Sequence, residues 1–114
     1  MTNTLRPNFA ERAKAQRFQT RAFIDGRFVD ALDGKTFTTV NPANGEVLTR
    51  IAECDAADVE VAVAAAKAAF EDRRWAGLAP KERKRALLRL ADLVEQHAQE
   101  LALIESLDNG KPVD

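Results

Sequence analysis

This chain of 114 residues has one cysteine, one histidine, one tryptophan and no tyrosine. Cys54 alone cannot form an intramolecular disulfide framework, and a single free thiol suits a reducing compartment. With His97 the only imidazole and no second soft ligand spaced with it or with Cys54, a His/Cys zinc site within one copy is excluded. The five glycines, at 26, 34, 45, 77 and 110, nowhere fall into G-x-G-x-x-G or G-x-x-x-x-G-K-[ST]. No nucleotide-phosphate loop is therefore encoded. No stretch approaches the roughly 20 apolar residues that span a bilayer, and Met1–Pro7 lacks the apolar core of a signal peptide. A formal net charge of −1 gives no bulk attraction to nucleic acid or anionic lipid. These absences point to a cytoplasmic protein with neither nucleic-acid nor membrane partners.

What is present reads as one small α+β unit. Residues 8–20 place Phe9, Ala13 and Phe18 among charges, a short amphipathic helix that needs a partner surface. Ala22–Ile24 and Arg27–Val29 flank Asp25-Gly26, a dipeptide suited to the positive φ angles of a two-residue type I′ hairpin turn. After a second turn at Asp33-Gly34, Thr36–Val40 favours an extended chain, and Asn41-Pro42 with Asn44-Gly45 reverses it into a return strand over Glu46–Ile51.

The period then changes. Asp55 predicts an N-cap with Asp58 three residues on, and Val59, Ala62, Val63, Ala66 and Phe70 follow at helical spacing. Trp75 and Gly77 mark an exit loop, and Pro80 opens the next helix, where its missing N–H costs nothing. Its apolar stripe, from Leu87 to Ala102, is widened by Leu88, Leu93 and Ile104 and expects neighbours on more than one side. A helix over the whole of 81–109 exceeds the usual length, so a break is expected near Gln96–Gln99. Asn109-Gly110 predicts a left-handed C-cap.

Few residues are candidates for chemistry. Cys54 precedes a helix N-terminus, which can stabilise a thiolate, but no base is identifiable beside it, and a small residue at a strand-to-helix junction accounts for it. His97 reads as a semi-exposed residue at the helix break. Lys81, Arg85 and Arg89 share one face that could meet phosphates, but acidic neighbours interleave and a solvated face is the simpler reading. Asp108 is a carboxylate at a helix C-terminus, unfavourable with respect to the dipole, and needs a turn N–H or a cation as partner.

In order and spacing, Phe23-Ile-Asp-Gly-Arg-Phe28, Thr36-Phe-Thr-Thr-Val-Asn-Pro42, Asn44-Gly-Glu-Val47, Trp75, Arg89-Leu-Ala-Asp-Leu93 and Leu107-Asp-Asn-Gly-Lys-Pro112 resemble the start of an aldehyde dehydrogenase. Ala98–Leu107 and the helix before it are similar to the bacterial γ-glutamyl-γ-aminobutyraldehyde dehydrogenases of putrescine breakdown. The resemblance implies a parent with a Rossmann-like α/β fold, of which this chain is the α+β front: N-terminal hairpins followed by two or three helices. Residues 1–21 would be an arm or short helix, and 22–114 the first part of the cofactor-binding domain.

It also implies NAD- or NADP-dependent oxidation of an (amino)aldehyde to its acid in a homo-oligomer. There a cysteine thiolate attacks the aldehyde, hydride passes to the nicotinamide, and a glutamate-activated water hydrolyses the thioester. Neither the cysteine nor the glutamate matches a position here, so no catalytic or cofactor-binding residue is carried over. A structural monovalent cation, Na or K, is implied at backbone oxygens of Thr39 and Val40 and at Asp108, with another ligand from later sequence, so that binding to this chain alone is expected to be weak. By position, Ala79 stands where relatives often carry a Ser or Thr cap. The expectation is a truncated product or one half of a split enzyme, inactive alone and marginally stable or self-associating, with a complementing chain as possible partner. The alternative is a non-catalytic module that docks on another subunit through its apolar helix faces.

Overall fold

A computed structural model describes residues 8–113. The reading of Met1–Pro7 as lacking a signal-peptide core lies outside the described residues. The order is α1 (Phe9–Ala15), β1 (Ala22–Ile24), β2 (Arg27–Val29), β3 (Thr36–Val40), β4 (Val47–Ala52), α2 (Ala56–Glu71), α3 (Pro80–Gln96) and α4 (Ala98–Asn109). Three helices follow two antiparallel ribbons, β1-β2 and β3-β4.

Local chemistry explains most of these boundaries. Asp25 and Gly26 have φ of 53° and 77°, the two positive angles a type I′ turn demands, and Phe23 faces Phe28 across the ribbon with ring centroids 5.1 Å apart. The second ribbon pairs Thr36 with Ala52 and Thr39 with Thr49, then Val40 with Val47. Leu48 is thus an extra residue, a bulge that disturbs the ladder beside Thr39 and Val40. The return strand runs Val47–Ala52 rather than Glu46–Ile51, because the Glu46 carbonyl accepts from Asn41 N–H at the turn while Ala52 pairs with Thr36 and gives its N–H to the Thr20 carbonyl.

Asp55 and Asp58 form a reciprocal capping box at the start of α2. The first helix is shorter than the 8–20 expected: Asn8 caps it through Glu11 N–H, but Gln16 is already extended at ψ 127°. Its side chains reach the start of α4 instead, Arg12 donating to Gln99 at 2.6 Å and Gln16 to Glu100 at 3.3 Å. The break expected near Gln96–Gln99 falls at His97, which both ends α3 and precedes α4.

The interior is very small. Among the described residues the buried apolar ones are Ala31 and Leu103, and the carboxylate of Asp58 is buried with them. The chain spreads over 57 × 40 × 18 Å with a radius of gyration of 18.3 Å. A closed domain of this length would have about 13 Å. Among the described residues the apolar stripe of α3 finds few neighbours, since Leu87, Leu88, Leu90 and Val94 are all exposed, as are Val59, Val63 and Phe70 on α2.

Candidate functional site

The β3-β4 turn and the end of α4 meet, and each is built by local hydrogen bonds. On the turn, Asn41 Oδ1 accepts from Ala43 N–H at 2.9 Å, the Asn41 carbonyl from Gly45 N–H at 2.7 Å, and Asn44 Oδ1 from Glu46 N–H at 3.0 Å. Side-chain amides acting as turn acceptors are why Asn suits both positions. On the helix, Gly110 takes φ 81° and returns its N–H to the Ser106 carbonyl at 2.9 Å, while Asn109 Oδ1 accepts from Lys111 N–H at 3.0 Å.

Between them the Thr39 hydroxyl donates to Asp108 Oδ1 at 3.3 Å. Thr39 is half-buried, Asp108 and Val40 are exposed, and Val40 follows Thr39 at the bulge. The partner that Asp108 needs at its helix end therefore includes a hydroxyl, which was not among the turn and cation partners expected. All the groups offered here are oxygens, the donor type a hard monovalent cation takes, and the C-terminal end of α4 adds negative potential. Among the described residues no cluster of three His, Cys, Asp or Glu side chains could hold a metal ion. A site here would therefore rely on backbone and hydroxyl oxygens beside a single carboxylate.

Asp58 is a second carboxylate that joins distant segments. Its Oδ2 accepts from Asp55 N–H at 2.9 Å and its Oδ1 from Leu32 N–H at 2.8 Å, so it caps α2 and holds the loop after β2. The Asp55 and Leu32 N–H groups hold its pKa below the usual carboxylate range, outweighing desolvation. The capping role was visible in the sequence; the Leu32 contact, 26 residues away, was not.

Cys54 is exposed, and its thiol is pushed up by desolvation first and then by the negative charges of Asp58, Asp55 and Asp33. The carboxylates that cap α2 thus oppose the dipole that would activate the thiol, in keeping with a junction residue. His97 is exposed with Nδ1 3.6 Å from Glu100 Oε2. Lys81, Arg85 and Arg89 are exposed, Arg85 pairing with Glu82 at 3.0 Å. A hollow of about 800 Å³ between α1 and the α3-α4 break is lined by residues including Arg12, Arg17, Glu95, His97 and Glu100, and by none of Thr39, Val40 or Asp108.

Comparison with known proteins accounts for the thin core. Residues 28–114 match the aldehyde dehydrogenase family, and the chain belongs to that family. It is 55% identical to the aminoacetaldehyde dehydrogenase of Pseudomonas aeruginosa across 99% of this chain and 23% of that protein. The crystal structure of a γ-glutamyl-γ-aminobutyraldehyde dehydrogenase from Burkholderia cenocepacia superposes with a TM-score of 0.91 at 48% identity, over 93% of this chain and 22% of that one. An indole-3-acetaldehyde dehydrogenase from P. syringae, solved with NAD+, gives 0.89 at 44% identity, over 93% of this chain and 21% of that one. The 114 residues span less than a quarter of the relatives they match. Fold and order of elements are those of the N-terminal part of an aldehyde dehydrogenase.

Proposed function

We propose that the chain is the N-terminal portion of an NAD(P)-dependent aldehyde dehydrogenase that oxidises an aminoaldehyde to its carboxylic acid in the cytoplasm, in a homo-oligomer. The observation that carries this reading is the 55% identity along nearly the whole chain to an aminoacetaldehyde dehydrogenase. The similarity to a γ-glutamyl-γ-aminobutyraldehyde dehydrogenase supports an amine-derived substrate and a place in putrescine breakdown. In this reading residues 22–114 form the hairpins and outer helices of the cofactor-binding domain, with 1–21 as an arm. Their role is architectural, because no glycine-rich phosphate loop lies in them and the Cys54 thiol is not activated.

Thr39, Val40 and Asp108 form the proposed monovalent-cation site, taking Na or K. When bound, the cation would neutralise Asp108 at the negative end of α4. Thr39 and Val40 would supply oxygens from the bulged end of β3, tying ribbon to helix. Asp108 Oδ1 lies 3.3 Å from the Thr39 hydroxyl, which supports the two segments sharing one ion; a further ligand would come from sequence beyond these residues, so binding by this chain alone is weak.

The test is NAD(P)H formation with a panel of aminoaldehydes, by the 114-residue chain alone and after mixing with residues of the P. aeruginosa relative that follow the matched region. No activity alone and activity on mixing is the expected result; activity of the chain alone would overturn it. A second reading is a non-catalytic module docking on another subunit, favoured by the exposed apolar faces of α2 and α3. Stable binding to a full-length relative without any gain in turnover would select it.

A further inference from the structure

We infer that Pro42 and Gly110 are positioning residues that hold the Asp108 carboxylate against Thr39. Gly110 sits at φ 81°, and a Cβ placed on it would lie 3.3 Å from Pro42 Cγ. The end of α4 is therefore seated on the β3-β4 turn, at a separation where a side chain would press on Pro42 and require it to give by a few tenths of an ångström. Gly34 and Gly45 share the left-handed conformation, at φ 74° and 73°, but a Cβ on either meets nothing within 4 Å. At those two glycines only the backbone angle matters; at Gly110 the angle and the close approach both matter.

The seat lies two residues beyond Asp108 on one side and three beyond Thr39 on the other. Each side is stiffened by its own turn bonds, the Asn41 carbonyl to Gly45 N–H and the Gly110 N–H to the Ser106 carbonyl. The hydroxyl–carboxylate pair, half-buried at Thr39 and exposed at Asp108, spans 69 residues of sequence. A pair open to solvent in this way contributes too little to organise its own approach. The Pro42–Gly110 contact brings the two chain segments together, and the polar pair reports their alignment. The consequence for cation binding rests on the reading of Thr39, Val40 and Asp108 given above; the positioning itself does not.

The test is a Thr39→Val/Asp108→Asn double-mutant cycle by denaturant unfolding of the 114-residue chain at one fixed concentration. It is repeated in Pro42→Ala, Gly110→Ala and Gly34→Ala backgrounds. The Asp108 side-chain carboxyl 13C resonance is followed in parallel, in sodium chloride against choline chloride at equal ionic strength. In the parent chain the coupling should be about two- to fivefold in the unfolding equilibrium constant. It should fall to about one in Pro42→Ala and Gly110→Ala. Gly34→Ala carries left-handed strain without a clash, so it should lower stability yet keep the coupling. Coupling that survives Pro42→Ala, or that is absent from the parent chain, overturns the inference. Should Gly110→Ala not fold, Pro42→Ala decides. Loss of coupling in Pro42→Ala with no sodium-selective carboxyl shift in the parent supports the positioning role and removes the cation reading alone.

Discussion

The Thr39 hydroxyl and the Asp108 carboxylate meet at 3.3 Å across 69 residues of sequence, joining the bulged end of a β-ribbon to the C-terminus of a helix. A cation bound there should stabilise the folded chain by mass action. Replacing sodium or potassium chloride by choline chloride at equal ionic strength is expected to lower Tm by about 1–3 °C, the size for a weak site whose dissociation constant is close to the cation concentration. Asp108→Asn should remove that difference. A Tm indifferent to the cation in the parent chain would discard the site.

Gly110→Ala should cost more than Gly34→Ala. Left-handed backbone alone costs an alanine about 1–2 kcal/mol, and only at Gly110 would the new Cβ also press on Pro42. Chemical denaturation of the two variants checks the order.

Ala79 caps α3 without a side-chain hydrogen bond, at φ −60° and ψ 146°, angles a capping residue adopts. Ala79→Ser should therefore stabilise the chain by about 1 kcal/mol, with the gain visible as a higher unfolding midpoint. A neutral result would mean that the helix start is held by contacts other than its cap.

The acidity of Asp58 carries a pH dependence of known sign. Its folded-state pKa lies below the ordinary value of 3.8, chiefly through hydrogen bonds from Asp55 and Leu32 N–H. The unfolded chain thus binds the proton more tightly, and the stabilisation is present above the unfolded pKa and is lost as pH falls through the folded one. Asp58→Asn should destabilise the chain at neutral pH and flatten the acid limb below about pH 4. An unchanged acid limb would assign it to other carboxylates.

Exposure and reactivity should part company at Cys54. Its thiol is open to solvent, yet its pKa is raised by desolvation and by Asp58, Asp55 and Asp33. Iodoacetamide at neutral pH should alkylate it more slowly than a free cysteine peptide, and Asp55→Asn should speed the reaction. Labelling faster than the peptide would contradict the raised pKa.

The features legible in the sequence were those written within four or five residues. Asp25-Gly26, the Asp55/Asp58 box, Pro80 at the head of α3, the interruption at His97 and the left-handed Gly110 each state a backbone preference independent of what surrounds it. The shortening of α1 was hidden because Gln16 turns extended while its side chain bonds to Glu100, 84 residues on. Long-range seats such as Leu32 on Asp58 and Pro42 on Gly110 left no periodic trace. The resemblance named Thr39 and Asp108 as neighbours, but only the geometry shows the hydroxyl facing the carboxylate.

An 18 Å thickness has a consequence for mutational tolerance. In a closed domain, leucine-to-polar changes are the ruinous ones and surface changes are mild. Here Leu87, Leu90 and Phe70 already face water, so Leu87→Gln or Phe70→Ser should be nearly neutral or improve solubility in the 114-residue chain. The damaging substitutions are instead concentrated at glycines, caps and turn amides. A deep mutational scan of this chain would therefore draw the map of its joints and leave its broad apolar faces almost blank.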